Sequence, residues 1–594
     1  MPFVQAKCPE CGGMLAVDSS KKAAVCQFCG EAFIVQEAIN NYNTYNTYNT
    51  THQYGDGAVV NVYEDQNKDF VIEAGVLKEY HGEDDCVVVP QNVKAIGDRC
   101  FENMPIKDIV LHNEIQKIGE CAFTGCSDLT NVTIKDGPTS IGAWAFSGCN
   151  SLQNIKLPNS ITSIRYGAFS GCTGLQSIEL PNSITSIGES AFSGCTSLQD
   201  IALPDSITSI DGAFRGCTNL QSIELPNSIT SIGESAFSGC SGLQSIELPN
   251  SITSIAESAF SGCTGLQSIE LPDSITSIDR AFQDCTGLQS IELPNSITSI
   301  NWAFRGCTGL QSIELPNSIT SINGAFQDCT GLQSIELPNS ITSIDKSALS
   351  GCTSLQSVKL PNNITGIDEY AFYGCTSLQS IELPDGITSI CEGAFSGCTG
   401  LRSIDLPDSI TRIDKYAFSG CTGLQSVKLP SNITGVDKWA FFDCNSLQNV
   451  KLSNSIKEIK YPAFSGWIDL QSIDLPDGIT SIENYAFDNC SSLKSITIPE
   501  SVTNIGAFAF RGCYKLSKIR VSETLLSKFR DSFPDEAYKT TMKAINLAKI
   551  QKHEALQKEI EAQRKADGLC PYCGGEFKGI FSLKCKKCGK PKDY

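Results

Sequence analysis

The chain is expected to fold as a repeat solenoid, mainly β with short helical turns. Two observations carry that expectation. The stretch Leu175-Gln176-Ser177-Ile178-Glu179-Leu180-Pro181, followed by Ser183-Ile184-Thr185-Ser186-Ile187 and Ala191-Phe192-Ser193-Gly194-Cys195, recurs almost verbatim every 22 or 23 residues. Counted on its aromatic landmark, from Phe101 to Phe510, there are 19 copies, with Leu349 as the one replacement. A fixed period of this length means one supersecondary unit per repeat, too small to bury its own apolar face and folded only by stacking on its neighbours.

Each copy divides into three parts. In Leu175-Gln176-Ser177-Ile178-Glu179-Leu180, positions 1, 4 and 6 are apolar and point inward, as in a short parallel strand, one per turn of the coil. Pro181 stops that strand, and Ser183-Ile184-Thr185-Ser186-Ile187 supplies a second extended stretch. Glu189-Ser190-Ala191-Phe192-Ser193-Gly194 then reads as a helical turn, with Ala191 and Phe192 packed inside and Gly194 ending it. The period and the L-x-x-I-x-L core are the signature of a leucine-rich-repeat array. Its L-P-x-x-I-T-x-I-x-x-x-A-F-x-x-C pattern resembles the BspA-like class of bacterial leucine-rich repeats over about 430 residues. The resemblance implies a binding protein; members of that class are often exported and displayed on cell surfaces.

The ends differ from the array. Residues 1–37 hold Cys8-Pro9-Glu10-Cys11 and Cys26-Gln27-Phe28-Cys29, two C-x-x-C knuckles that can close tetrahedrally on one zinc ion. They are read as a zinc ribbon, a small fold stapled by metal because it cannot build its own core. Residues 38–57, with Tyr42, Tyr45 and Tyr48 in a run of Asn and Thr, read as a low-complexity linker. Residues 58–90 carry short alternating segments read as N-terminal cap strands, and the solenoid is assigned to 91–521. Residues 522–567 include an Ala-, Lys-, Glu- and Gln-rich stretch after Pro534, read as a helical cap or arm. Residues 568–594 close the chain with Cys570, Cys573, Cys585 and Cys588, a second four-cysteine zinc ribbon. The expected cofactor is therefore zinc, two structural ions.

Of 29 cysteines, eight lie in these terminal pairs and 17 recur at one repeat position, from Cys126 to Cys513. The unbroken run from Cys126 to Cys444 has 15 members, an odd number that cannot pair completely, and Met104 and Trp467 stand at the same position in other copies. The position is read as a buried apolar site holding free thiols, which fits a reducing compartment. No signal peptide and no run of about 18 apolar residues is visible, so the expected location is cytoplasmic, with surface location by unconventional export as the alternative.

Function is sought on what faces solvent. Position 5 of the first strand is acidic at Glu179, Glu224, Glu247, Glu270, Glu292, Glu314, Glu336 and Glu382, and again at Asp405 and Asp474, with Lys156, Lys359, Lys428 and Lys451 interrupting. Like charges across neighbouring strands are unfavourable, so the stripe is either a binding surface for a protein partner or a solubilising coat. Trp144, Trp302, Tyr370, Tyr416, Trp439 and Tyr485 precede the repeated Ala and are expected to be partly buried between turns. The formal charge of −20 argues against general nucleic-acid binding, although residues 543–594 hold 12 Lys and Arg against six Asp and Glu. Four scattered histidines and no phosphate loop or nucleophile elbow leave no catalytic constellation, so no enzyme activity is expected. The function expected is a non-enzymatic protein-binding scaffold that uses the concave sheet of the solenoid. The alternatives are a nucleic-acid-associated regulator acting through the zinc ribbons, and a cell-surface adhesin.

Overall fold

A computed structural model of the chain describes residues 69–433, 435–567 and 569–576, residues 587 and 590, and six short strands before residue 61. From residue 76 to 520 the chain winds as a parallel β-solenoid in which each turn stacks on the next in register. The first strands pair as Asn154↔Ser177, Ile155↔Ile178 and Lys156↔Glu179, and the second as Ser163↔Ser186 and Ile164↔Ile187. Core positions follow the expected pattern: Leu175, Ile184, Ala191, Phe192 and Cys195 are fully buried, as are their counterparts in most copies.

The hydroxyls of the Ser-Ile-Thr segment explain why those residues recur. Ser183 Oγ donates to the Ile161 carbonyl of the preceding turn (2.7 Å), and Thr185 Oγ1 donates to the Thr162 carbonyl (3.3 Å). Buried Ile184 between them faces the core while both hydroxyls tie adjacent turns together.

The expected helical turn is not a helix. Ala191 N–H donates to Gly188 O, Ser193 N–H to Ser190 O and Cys195 N–H to Phe192 O, each at 3.0–3.1 Å across three residues. The alternate amides instead run along the solenoid axis, with Gly167 N–H donating to Glu189 O, Phe169 N–H to Ala191 O and Gly171 N–H to Ser193 O. This third ladder is possible because two residues per turn are left-handed, Ser190 at φ +59° and Gly194 at φ +73°. A left-handed residue breaks α-helix propagation. The second of these columns contains only Gly, Asn or Asp in all 19 copies, the residues for which that conformation costs least. The first column is occupied by Ser, Gly, Arg, Cys, Trp, Tyr and Phe alike, nearly all at positive φ.

The repeated Phe forms a stacked spine, with Phe169 and Phe192 centroids 5.5 Å apart and 2° from parallel. Both ends continue it with residues from outside the repeat pattern. Tyr80, on the hairpin Phe70–Glu73 and Val76–Tyr80, lies 5.3 Å from Phe101. Phe533 stacks on Phe510 at 5.2 Å, and Phe510 N–H donates to Ser532 O, so Ser532-Phe533 imitates the Ala-Phe of a further turn. Edges of the solenoid are covered in this way by segments that copy its side-chain geometry.

Among the described residues, helix is confined to Glu523–Lys528, the 3-10 turn Arg530–Ser532 and Asp535–Ala566. The last of these docks through buried Ala537 and Thr541 with Tyr538, Met542 and Ile545 beside them, after which residues 546–559 are exposed. At 32 residues it is about 48 Å long.

Four copies lack one residue between the second strand and the Ala-Phe pair, at Phe214, Phe282, Phe304 and Phe326. Three are consecutive, and there the second-strand ladder thins to isolated bridges at Ser277↔Ser299 and Ser299↔Ser321. In a full copy the Gly188 amide reaches the Ile164 carbonyl. In the short ones a side chain takes over: Asp279 Oδ1 accepts from Asn301 N–H (2.7 Å) and Ser299 Oγ (2.6 Å). Asn301 Oδ1 likewise accepts from Asn323 N–H (2.9 Å) and Ser321 Oγ (2.8 Å). Asp345 closes the run from the other side, its Oδ2 accepting from Ile322 N–H (2.8 Å) and Ser321 Oγ (3.0 Å).

Candidate functional site

The first-strand sheet presents three parallel columns to solvent, represented by Gln176, Ser177 and Glu179, all exposed. The backbone places them there because alternate residues of a strand point to opposite faces, and Ile178 between them is buried. Glu179, Glu224, Glu247, Glu270, Glu292, Glu314, Glu336 and Glu382 are all exposed. The ends of the stripe are neutralised: Lys156 lies 3.8 Å from Glu179, and Lys359 Nζ donates to Glu336 Oε1 at 2.5 Å. Farther on, the register sets Asp405 opposite Lys428 and Lys451 opposite Asp474.

Between them stand Glu224, Glu247, Glu270, Glu292 and Glu314 on successive turns with no Lys or Arg in their column. Three-residue strands such as Asn154–Lys156, Ser177–Glu179, Ser334–Glu336 and Ser357–Lys359 frame this stretch, where charges of opposite sign face each other. Inside it only isolated bridges remain, Ala202↔Glu224 and Glu270↔Glu292. The ladder is interrupted as well at Glu382, one turn after Lys359, so charge sign alone does not set where it thins.

The recurrent cysteine has a role its residue type hides. Cys195 Sγ–H donates to the Phe169 carbonyl (3.2 Å), Cys172 to Phe146 O (3.0 Å) and Cys263 to Phe237 O (3.1 Å). In one of the two copies without cysteine, Trp467 Nε1–H donates to Phe441 O at 2.7 Å; the other, Met104, heads the array, is half-buried and has no donor. From Cys126 onward the position thus combines apolar bulk with a buried hydrogen-bond donor, which adds to the expectation of a buried apolar site holding free thiols. The 17 thiols of this column are free and buried. Burial pushes Cys240 up to about 12, far from the thiolate form that reacts.

The aromatic residues before Ala are half-buried between turns, as expected. A glycine in the next turn makes room for several of them: a Cβ on Gly167 would lie 2.6 Å from the Trp144 ring, and one on Gly324 2.5 Å from Trp302. Toward the C-terminus they form a ladder, Tyr416–Trp439 (5.1 Å), Trp439–Tyr461 (5.7 Å), Tyr461–Tyr485 (5.7 Å) and Tyr485–Phe508 (5.5 Å). Tyr461 and Phe508 extend the set: Pro462 shifts the aromatic one residue back at Tyr461, whereas Phe508 directly precedes Ala509 and is 48% exposed. Arg511 covers Tyr485 at 4.8 Å while pairing with Asp488.

Of the cysteines expected to hold metal, Cys8, Cys11, Cys26, Cys29, Cys585 and Cys588 lie outside the described residues. Their frames are described in part. Strands Phe3–Lys7 and Met14–Asp18 pair antiparallel with Lys7 opposite Met14, and Ala23–Val25 and Ala32–Ile34 pair with Val25 opposite Ala32. Each C-x-x-C thus falls in the connection of a hairpin. At the other end Cys570 is buried, Cys570 N–H donates to Gly575 O (2.9 Å), and Gly574 at φ +66° returns its N–H to Cys570 O (2.8 Å). That tight turn is the kind a C-x-x-C-G knuckle needs to bring two sulfurs to one metal ion, so Cys570 and Cys573 fit the group.

Stacked parallel turns, an L-x-x-I-x-L strand and an apolar spine define the molecule as a leucine-rich-repeat β-solenoid. The chain belongs to the BspA-type leucine-rich-repeat family, whose model of six repeat copies matches residues 94–213, 211–324, 301–425 and 411–538. Among solved structures, a leucine-rich-repeat protein from Bacteroides ovatus is 30% identical, over 64% of this chain and 90% of that one, with a TM-score of 0.46. A leucine-rich cell-surface protein from Faecalibacterium prausnitzii is 23% identical over 78% and 96%, with a TM-score of 0.28. No curated protein matches the chain. Among the described residues no helix is long and apolar enough to cross a membrane.

Proposed function

We propose that this protein is a non-enzymatic scaffold that binds a protein partner along the first-strand sheet, the concave face in solenoids of this class. The observation that carries the proposal is the run Glu224, Glu247, Glu270, Glu292 and Glu314, exposed on five successive turns with no cation in its own column. A partner with basic side chains on an extended segment would supply those cations and engage several turns at once, gaining avidity. Family membership supports a binding role, since stacked repeats present an extended sheet surface to a partner.

The four-cysteine sets are proposed to hold one structural zinc ion each, Cys8, Cys11, Cys26 and Cys29 at one end and Cys570, Cys573, Cys585 and Cys588 at the other. Bound zinc would fix each knuckle and contribute folding energy; the hairpin frames and the Cys570 turn support that assignment. The buried thiol column supports residence in a reducing compartment such as the cytoplasm.

Affinity capture with the intact protein and with a variant carrying Glu→Ser at positions 224, 247, 270, 292 and 314 tests the scaffold. Loss of a basic partner from the variant is expected, and equal recovery refutes the sheet as the binding face. Elemental analysis of the purified chain should return about two zinc ions; none after purification without chelator refutes the metal assignment.

A further inference from the structure

A pocket of about 490 Å3 lies at the corner of the three consecutive short copies, lined by Glu257, Asp279, Arg280, Asn301, Trp302 and Asn323. That volume lies within the ~300–1,000 Å3 of small-molecule sites. The lining also concentrates departures from the repeat. Where neighbouring copies carry Gly233-Glu234-Ser235 or Ala256-Glu257-Ser258, these carry Asp279-Arg280, Asn301-Trp302 and Asn323-Gly324.

We propose that this pocket binds carbohydrate, a mono- or disaccharide unit seated with one C–H face on the Trp302 indole. Trp302 is held for such a role, because one side of its ring rests on Gly324, where a Cβ would intrude to 2.5 Å. The polar wall mixes signs. Arg280 Nη1 donates to Glu257 Oε1 at 2.7 Å, which fixes the guanidinium and commits one of its five N–H groups. Asn301 Nδ2 is a donor, here to Ser299 Oγ at 2.9 Å, whereas Asp279 is an acceptor.

Asn323 ends the side-chain ladder without a successor. Asp279 and Asn301 each receive the amide of the following turn, but Asp345 reaches backward, and the buried Asn323 Oδ1 has no hydrogen-bond partner. A buried carbonyl without a donor is costly, and this one gains a donor if the carboxamide turns toward the pocket it lines.

A ligand of one charge cannot satisfy that wall. An anion would meet Glu257 and Asp279, and a guanidinium would meet Arg280. Sugar hydroxyls both donate and accept, and the apolar face of a pyranose covers an aromatic ring.

The test is titration of the full-length protein with cellobiose, maltose, lactose and N,N′-diacetylchitobiose, read by tryptophan fluorescence and calorimetry. One-to-one saturable binding of at least one disaccharide is expected. Trp302→Ser and Arg280→Ser should each weaken it about tenfold or more, while Trp144→Ser leaves it unchanged. Serine already occupies this column, at positive φ, at Ser190, Ser235, Ser258 and Ser347, so the substitutions suit the fold. The proposal is overturned by no saturation by any of the four up to about 10 mM, or by binding that survives Trp302→Ser. Binding of N-acetyl-arginine amide in place of every sugar would also overturn it, in favour of an arginine-bearing peptide.

Discussion

Replacing one buried cysteine separates volume from hydrogen bonding. Cys263 is fully buried, and its thiol donates to the Phe237 carbonyl at 3.1 Å. In Cys263→Ala the carbonyl keeps the Cys240 N–H at 3.0 Å and loses its second donor, at about 0.5–1 kcal/mol for a weak S–H bond. The vacated sulfur leaves about 25 Å3, adding about 0.6 kcal/mol at 24 cal/mol per Å3. The total expected is about 1.1–1.6 kcal/mol. Cys263→Val fills the space but restores no second donor, so it should remain destabilised by about 0.5–1 kcal/mol. Cys263→Ser keeps a donor and should lie closer to the parent than Val. Urea unfolding followed by far-UV circular dichroism gives the order, read as midpoints because long arrays need not unfold in one step. If Val matches the parent while Ser is the worse of the two, the position selects apolar bulk and the donor role assigned from Trp467 Nε1–H is wrong.

Gly262→Ala isolates backbone strain: its φ is +72° and a Cβ would meet nothing nearer than 3.6 Å, so the loss should be about 1–2 kcal/mol in urea midpoints. Phe260→Ala, between Phe237 and Phe282 in the spine, should cost about 3–5 kcal/mol and split thermal unfolding into separate transitions on either side of the break. Burial, with the Asp345 and Glu369 carboxylates nearby, pushes Asp368 above the usual carboxylate range. Its folded form therefore favours the proton, and stability falls as pH rises from the unfolded value near 4 through the folded one. Asp368→Asn should raise the melting temperature at pH 7 and lose that advantage below about pH 4. Native-state alkylation followed by peptide mapping should label exposed Cys86 and spare Cys240; labelling of Cys240 without denaturant would show that the spine opens.

The array was legible because its information is redundant. Near-identical copies of Leu, Ile, Ala and Phe at fixed offsets leave one arrangement that buries them, with the strand-ending Leu180 and its counterparts partly covered in several turns. The left-handed corner was half legible. Gly194 and its counterparts carry the residue types that conformation favours, but Ser190, Trp302 and Tyr416 share it without any such mark. A helical turn and a doubly left-handed corner place Ala191 and Phe192 inside equally well, so the apolar pattern could not separate them. Asp279, Asn301 and Asn323 stand after the second-strand Ile in copies that had lost a residue, but Asp345, Asp368 and Asp414 hold the same place in full-length copies, so residue type alone did not mark the corner. The metal knuckles and the acidic stripe were visible as residue types, whereas a partner's identity has no imprint in the spacing of this chain.

The irregular copies bear on how so repetitive a chain finds its own order. Any turn whose core matches its neighbour's could dock one repeat too early or too late at almost no energetic difference, leaving a loop of some 23 residues. Leu349 in the Phe spine, Trp467 in the thiol column and the side-chain ladder at Asp279, Asn301 and Asn323 each fit one neighbour better than all others. They act as alignment marks along a ruler of otherwise interchangeable divisions. Erasing them by substituting the majority residue should increase the fraction of molecules trapped with a turn skipped.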